Sequence, residues 1–519
     1  MNHRPDALQY QPPTTIAYNG STLHTTKYET KVPHLHKLQI LILSFLASFL
    51  TVANPFLADL SNSLQSQYLY IGQLLLRGQL PYSDIFSTGG ILYFLLIAIS
   101  YAWGSSFWLI AWQTLFFYGA GIYFYKLVAY FTSNQKVASV FTVFYFLGSF
   151  GLGFGGLYPI QFAMPFLLAG LWFLTKYFAQ LTKDEAFIFF GCACALAMLL
   201  EPRSLVFGLV SLVVVMSYNY QKRHLARGFY QFLAAVFGFL LVCYTAGYFI
   251  LSLQLLKPYL NQAFLYSLTT PGSGVHPLLL GFLLQLVVAG GLGLFTGLGY
   301  FLEHRKEEDD AWVKGLMVIV ALGYLFLALF AREYLTYPLL AMLPFALILT
   351  AIPVNQRFNK YTQRTTHHRS KNHSASWLIR FIYLQRHFYL PLVTILLLVA
   401  WPLIGYVRDL PVHKERHAIS QYLLKNGSIT DQLYVWDTSA RIYQETQMKS
   451  ASHFPTPLVN LSTKANKQLL VDELLQNRAR YIVVNQKLPL PAKIGKVLKT
   501  NYRKVRKDSS KHFHLYQKK

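Results

Sequence analysis

Long apolar runs constrain this chain more tightly than any other feature. They cover Leu38–Phe56, Phe107–Tyr125, Val137–Phe154, Leu157–Thr175, Ala186–Leu200, Leu205–Tyr218, Phe229–Leu255, Pro277–Leu302, Trp312–Ala331, Tyr334–Pro353 and Phe388–Tyr406. Most are about 18 to 27 residues long, enough helix to cross the roughly 30 Å hydrocarbon core of a bilayer. In lipid a chain of such segments must satisfy its backbone internally, so each run is expected to be a helix. Hydrophobic residues make up 54% of the 519 and charged ones only 13%, a balance no soluble domain of this length tolerates. The fold class is therefore an α-helical polytopic membrane protein of about eleven spans.

A twelfth run, Ile91–Trp103, holds 13 residues. As helix it measures roughly 20 Å, too short to cross comfortably. Whether it crosses decides the side of everything after it, and positive charge settles the choice. If it does not cross, one set of loops carries Arg4, Lys27, Lys31, Lys37, Lys126, Lys136, Lys176, Lys183, Lys222, Arg223, Arg227, Arg305, Lys306 and the run from Arg357 to Arg386. The other set holds only Arg77, Arg203, Lys257 and Arg332 ahead of the C-terminal region. That asymmetry is what cytoplasmic loops show. The expectation is then a cytoplasmic tail (1–37), a membrane domain (38–407) with a first outer loop (57–106) and a basic cytoplasmic loop (355–387), and an extracytoplasmic α/β domain (408–519). Ile91–Trp103 becomes re-entrant or interfacial.

The net charge of +25 follows these loops and the tail, where it fits topology and anionic lipid or polymer, so nucleic acid is not an expected partner. Cys192, Cys194 and Cys243 all lie in apolar spans, which leaves no disulfide framework. Residues 1–36 lack the apolar core of a cleavable signal. His367, His368 and His373 in the basic loop follow no ligand spacing on a helix.

The first outer loop holds two carboxylates, Asp59 and Asp84, in a region almost free of charge. Between them Leu64–Arg77 has amphipathic spacing, is closed by Gly78, and is expected to lie in the interface plane. The same face is expected to carry the turn 151–156, the corner Glu201-Pro202-Arg203, the loop 256–276 and the pair Arg332-Glu333. Ionisable groups at that depth usually line a cavity and pair with each other or a ligand. In the C-terminal domain the periodicity predicts helices at His417–Lys425 and Leu469–Asn477. Strands are expected at Gln432–Trp436 and Tyr481–Val484, with a further strand at His512–Tyr516.

The long loop after the first span, its early acid and the run GQLPYSD (Gly78–Asp84) resemble the type C glycosyltransferase superfamily. So do EYLTYPLLAMLPFALIL (Glu333–Leu349), LYVWD (Leu433–Asp437), Ile442-Tyr443 and ARYIVVN (Ala479–Asn485). In that superfamily the first acid often stands immediately before the amphipathic helix; here Leu64 and Gln65 occupy that place, and the nearest acid is Asp59. The resemblance implies sugar transfer from a polyprenyl-phosphate carrier to a cell-envelope polysaccharide, teichoic-acid-type polymer, lipid or protein. Such chemistry needs a base for the acceptor hydroxyl and cations for the departing phosphate. It assigns Asp59 as the base candidate and Asp84 as a second acid that orients the acceptor or, with Asp59, holds a divalent cation. Arg203 and Arg332 are the phosphate-side candidates, positioned by Glu201 and Glu333, with Tyr82 as a substrate contact. Helix caps, turn residues and local ion pairs explain the same residues without catalysis. A flippase of lipid-linked saccharide and a non-catalytic scaffold stay open as alternatives.

Overall fold

The structure is a computed structural model that describes residues 31–269, 278–304, 310–330, 335–365, 375–476, 478–505 and 511–519. Its helices are α1 (His34–Phe49), α2 (Ser63–Leu75), α3 (Ile91–Ala102), α4 (Trp108–Thr132), α5 (Gln135–Leu152), α6 (Pro159–Phe178), α7 (Phe187–Leu200), α8 (Leu205–Gln221) and α9 (Leu225–Ser252). Short turns follow, α10 (Leu256–Tyr259) and α11 (Ser267–Thr269), separated by a π-helical stretch. Next come α12 (Leu278–Gly291), α13 (Phe295–His304), α14 (Ala311–Leu329), α15 (Leu343–Thr365), α16 (Ala375–Arg386) and α17 (Leu390–Arg408). A C-terminal α/β unit completes the described chain: α18 (Leu410–Asn426), β1 (Gln432–Trp436), α19 (Arg441–Thr446), β2 (Lys449–Ser450), α20 (Lys464–Leu475), β3 (Tyr481–Asn485), α21 (Ala492–Asn501), β4 (Tyr502–Lys504) and β5 (Phe513–Lys518).

A helix, or in one case a bent pair, occupies each of the eleven apolar runs. Four segments (Pro202–Gln221, Leu225–Ser252, Ala311–Leu329 and Leu390–Arg408) are long and apolar enough by themselves to cross a membrane. The pair α12–α13, bent by 72°, would be a fifth. The stretch 355–387, expected to be a solvated loop, is helical over much of its length. α15 runs on to Thr365, and α16 packs Ile379, Ile382 and Tyr383 against the bundle, with Tyr383 donating to Leu292 O at 2.8 Å. His367, His368 and His373 lie outside the described residues.

The first loop departs most from its sequence reading. α2 forms where the spacing predicts it, and Gly78 takes φ 75° just past its end. It is not an exposed amphipathic helix, however: Leu64 to Gly72 are buried without a break. Amphipathic spacing places polar groups on one side of a helix but does not say what covers them. Here the C-terminal unit does: Ser66 Oγ accepts from Ala440 N (3.0 Å), Ser66 O accepts from the Gln444 amide (2.5 Å), and Tyr70 stacks on Tyr443 with ring centres 4.8 Å apart.

α3 stays within the same layer. At its start Gly90 N donates to Leu200 O (3.1 Å), and a Cβ added at Gly90 would sit 2.1 Å from Leu199 O, so only glycine admits this approach. Just upstream, Phe86 N donates to His453 O of the C-terminal unit (2.9 Å). At the far end Tyr101 lies within the field of Arg441, again in the C-terminal unit. The segment that leads into α3 is therefore held against the C-terminal unit. In that unit β1 pairs in parallel with β2 and β3, while β5 pairs antiparallel with β3 and β4, in the order β2-β1-β3-β5-β4.

Candidate functional site

The site is built outward from α2. Asn62 caps the helix by accepting from Gln65 N (2.9 Å), and Gln65 returns a bond to Asn62 N (3.0 Å), a reciprocal box that ends the preceding strand of loop sharply. The Gln65 amide then donates to Phe154 O (2.9 Å) and Gly156 O (2.8 Å), and Asn62 Nδ2 donates to Tyr158 OH (2.8 Å). Leu64 is buried in the core. Where the superfamily often has its first acid, Leu64 thus fills the core and Gln65 binds the loop to the turn 153–156. Asp59 sits ahead of the box, in the short 3-10 turn Pro55–Leu60.

A cavity of about 320 Å³ opens beside that turn. Asp59 to Ser63 form one wall, Pro402, Gly405 and Tyr406 of α17 a second, and His413, Arg416, Thr438, Asn485 and Lys487 of the C-terminal unit the third. Asp59 pairs with Arg441 Nε at 3.2 Å, and Arg441 also reaches Glu445 at 3.3 Å. Across the cavity the buried Arg416 holds Asp437 at 2.5 Å and donates to Thr438 Oγ1 at 3.0 Å. Asn485 donates to the same Asp437 carboxylate at 2.7 Å. Partners on several sides are what a buried ion pair needs to offset its desolvation. Arg416 Nη1 donates to His413 Nδ1 at 3.1 Å. With Nδ1 accepting, the neutral ring carries its proton on Nε2. Burial first, then the Arg416 charge, push the His413 imidazole below its ordinary value, against the pull of Asp59, Asp409 and Asp437. At neutral pH it is therefore an uncharged N–H donor. Lys487 closes this wall, held by Asp409 at 3.2 Å.

Tyr82, Glu201 and Arg203 gather elsewhere, beneath the first loop. Tyr82 is buried in the left-handed region at φ 70°, and its hydroxyl donates to Gly89 O at 2.6 Å. Gln262 Nε2 donates to Tyr82 O (2.7 Å), and Tyr259 meets its ring edge-on at 5.0 Å. Burial first, then the neighbouring Tyr259 and Tyr68, raise the Tyr82 phenol well above its usual value. Glu201 accepts from Arg203 N (3.3 Å) and lies 4.0 Å from its Nε, which donates to Ser267 Oγ at 3.0 Å. The void among Glu201, Arg203, Tyr324 and Tyr337 measures about 20 Å³, room for one water and no substrate.

Asp84 is exposed and caps its own turn, accepting from Leu80 N at 2.7 Å. Arg332 and Glu333 lie outside the described residues. Of the site residues expected from the sequence and described, only Asp59 lines the cavity beside α17; Glu201 and Arg203 line the closed void, and Tyr82 and Asp84 line neither. The two loop acids do not fit a shared cation: one carboxylate is engaged by a guanidinium, the other by a backbone amide. Among the described residues no three His, Cys, Asp or Glu side chains come together as a metal site. Sequence reasoning missed His413, Arg416, Arg441 and Glu445, and met Asn485 only as the end of ARYIVVN. The signal for some of them was present: His413 and Arg416 are three apart on one helix, just ahead of the run ending in Asp437.

Residues 25–410 match the family described as "Putative competence-induced protein Ccs4 N-terminal domain", and residues 413–519 match the corresponding Ccs4 C-terminal domain. The chain belongs to the Ccs4 family. No curated protein matches this Ccs4-family chain. Among solved structures it is similar to ArnT from Cupriavidus metallidurans bound to undecaprenyl phosphate, at 13% identity and a TM-score of 0.54, over 93% of this chain and 97% of that one. A second similar structure is the archaeal oligosaccharyltransferase AglB from Archaeoglobus fulgidus, in complex with an inhibitory peptide and a dolichol-phosphate. There the identity is 12% and the TM-score 0.49, over 87% and 69% of the two chains. The Ccs4-family chain shares its fold with ArnT, as its resemblance to the type C glycosyltransferases implied.

Proposed function

We propose that this Ccs4-family protein is a membrane glycosyltransferase that moves a hexosyl or pentosyl group from a polyprenyl-phosphate carrier to a cell-envelope polymer, lipid or protein. The observation that carries the reading is the cavity at the end of α17, where Asp59 faces His413, Arg416 and Lys487. α17 is exposed along most of its length, with Leu396, Trp401 and Ile404 open to the surroundings, so a lipid-borne substrate can approach the cavity along that helix. The phosphate would meet the His413 Nε2–H and the Lys487 ammonium, while Arg416 and Asp437 hold that wall in place. Asp59, at the cavity edge, would take the acceptor hydroxyl proton as Arg441 shifts toward Glu445. On this reading the bundle makes eleven crossings, α3 does not cross, and the C-terminal unit is extracytoplasmic. What supports that topology is the shortness of α3 and the bond from Phe86, just ahead of it, to His453 of the C-terminal unit.

A second reading, a non-catalytic relative, is favoured by Gln65 serving as a cap where an acid is common, and by the Asp59–Arg441 pair. Mass analysis of lipid-linked and envelope glycans separates the two. Cells lacking the protein, and cells carrying Asp59→Asn at normal membrane level, are expected to lose the same glycan modification. A modification that survives Asp59→Asn unchanged sinks the enzyme reading, and carrier-linked sugar trapped on the inner face would indicate a flippase.

A further inference from the structure

A second cavity, of about 600 Å³, lies at the other end of the bundle. It is lined by Lys31, Val32, Pro33, His34 and Lys37 at the start of α1, by Tyr118, Ile122 and Lys126 of α4, and by Gln135 of α5. Three ammonium groups and an imidazole face a space whose wall holds no carboxylate among the described residues. None of the three lysines makes an ion pair among the described residues, although surface cations elsewhere in this chain do. Converging like charges repel, and such an arrangement is stabilised by an anion that all of them reach. The Lys176 charge adds to the same field, since it acts on Lys126 together with Lys37.

The lower wall is apolar. Half-buried Tyr118 and Ile122 continue along α4 to Leu115, which is 60% exposed, three and seven residues away on one face. Beside it α1 presents Leu38, Ile42, Phe45 and Phe49, all exposed and spaced at helical intervals. A basic pocket that opens onto an apolar stripe directed into the bilayer matches an amphiphile with an anionic head.

We propose that this cavity binds the phosphate headgroup of an anionic lipid in the leaflet remote from the C-terminal unit, with the acyl or prenyl tail along α1 and α4. The site is independent of the Asp59 cavity and of any transferase activity. Free inorganic phosphate shares the headgroup chemistry but not the tail, and only the lipid uses the apolar stripe.

The test uses the full-length chain in zwitterionic detergent micelles, titrated with phosphatidic acid and followed by native mass spectrometry. One tightly held lipid per chain is expected, with phosphatidylcholine bound at least about tenfold more weakly, the scale of a lost charged hydrogen bond. The double variant Lys37→Gln/Lys126→Gln should weaken phosphatidic acid by about tenfold or more, while Lys222→Gln/Arg223→Gln, basic residues outside the lining, should leave it unchanged. Should the first pair lower the thermal midpoint, Lys31→Gln serves instead, because Lys31 precedes α1 and is exposed. Equal binding by lining and control variants overturns the proposal. So does displacement of the lipid by inorganic phosphate at equal concentration, which would mark a soluble-anion site.

Discussion

The two cavities of the helical bundle carry their charge in opposite ways. Against the C-terminal unit, Arg416 holds Asp437, Arg441 holds Asp59 and Glu445, Lys487 holds Asp409, and His453 bonds Glu473. Around the other cavity Lys31, Lys37 and Lys126, with Lys136 and Lys176 nearby, make no ion pair among the described residues, whereas Arg227 in the same set of loops is held by Asp184. Composition alone would count both as basic surface. Paired and buried charge builds a wall that keeps its shape when a substrate leaves; unpaired charge around an open space leaves a field for something else to neutralise. The first arrangement suits chemistry, the second retention at a surface.

That contrast can be broken in several places, and the largest effect is expected in the buried pair. Arg416→Ala strands the Asp437 carboxylate, which is 0% exposed, and should cost about 3–5 kcal/mol of stability in the C-terminal unit. Thermal unfolding of the purified protein measures it, and a loss below about 1 kcal/mol would mean the pair does not organise that wall. Asp59→Asn should lower transfer by roughly a hundredfold or more with the melting temperature unchanged, as expected for loss of a general base. An equal fall in both would make Asp59 a structural residue.

The pH dependence comes next, and the two histidines predict opposite trends. The His413 value is lowered on folding, chiefly by burial, so the unfolded chain binds more protons and stability falls as pH drops below the ordinary histidine value of about 6.5. His453 is raised, first by its bond to Glu473, so its contribution is full below that value and is lost as pH rises through the folded one. His413→Gln should therefore flatten the acid side of a stability profile, and His453→Gln the neutral-to-alkaline side; the reverse pattern would refute both assignments. The smallest effect belongs to the unpaired end, where Lys136→Gln should change stability by less than about 0.5 kcal/mol in the absence of ligand.

Much of the architecture was legible because lipid leaves few options. Apolar runs such as Phe229–Leu255 and Val137–Phe154 became α9 and α5 within a few residues at each end. Gln432–Trp436 and Tyr481–Val484 became the central strands, their β-branched and aromatic residues filling the sheet core. The site was legible only in part. Asp59 was found because a lone acid in an uncharged loop stands out. Asp84 and Glu201 stand out equally, yet one caps a turn and the other closes a buried corner.

What the chain settles by itself is how its segments partition between oil and water, because transfer free energy is a local property that adds along a helix. Which side chains meet is not local. His413 and Asp59, separated by most of the sequence, share a cavity because α17 returns the chain to the first loop and α19 docks on α2. Only that packing decides which acids are occupied by partners and which basic residues are left to face open space.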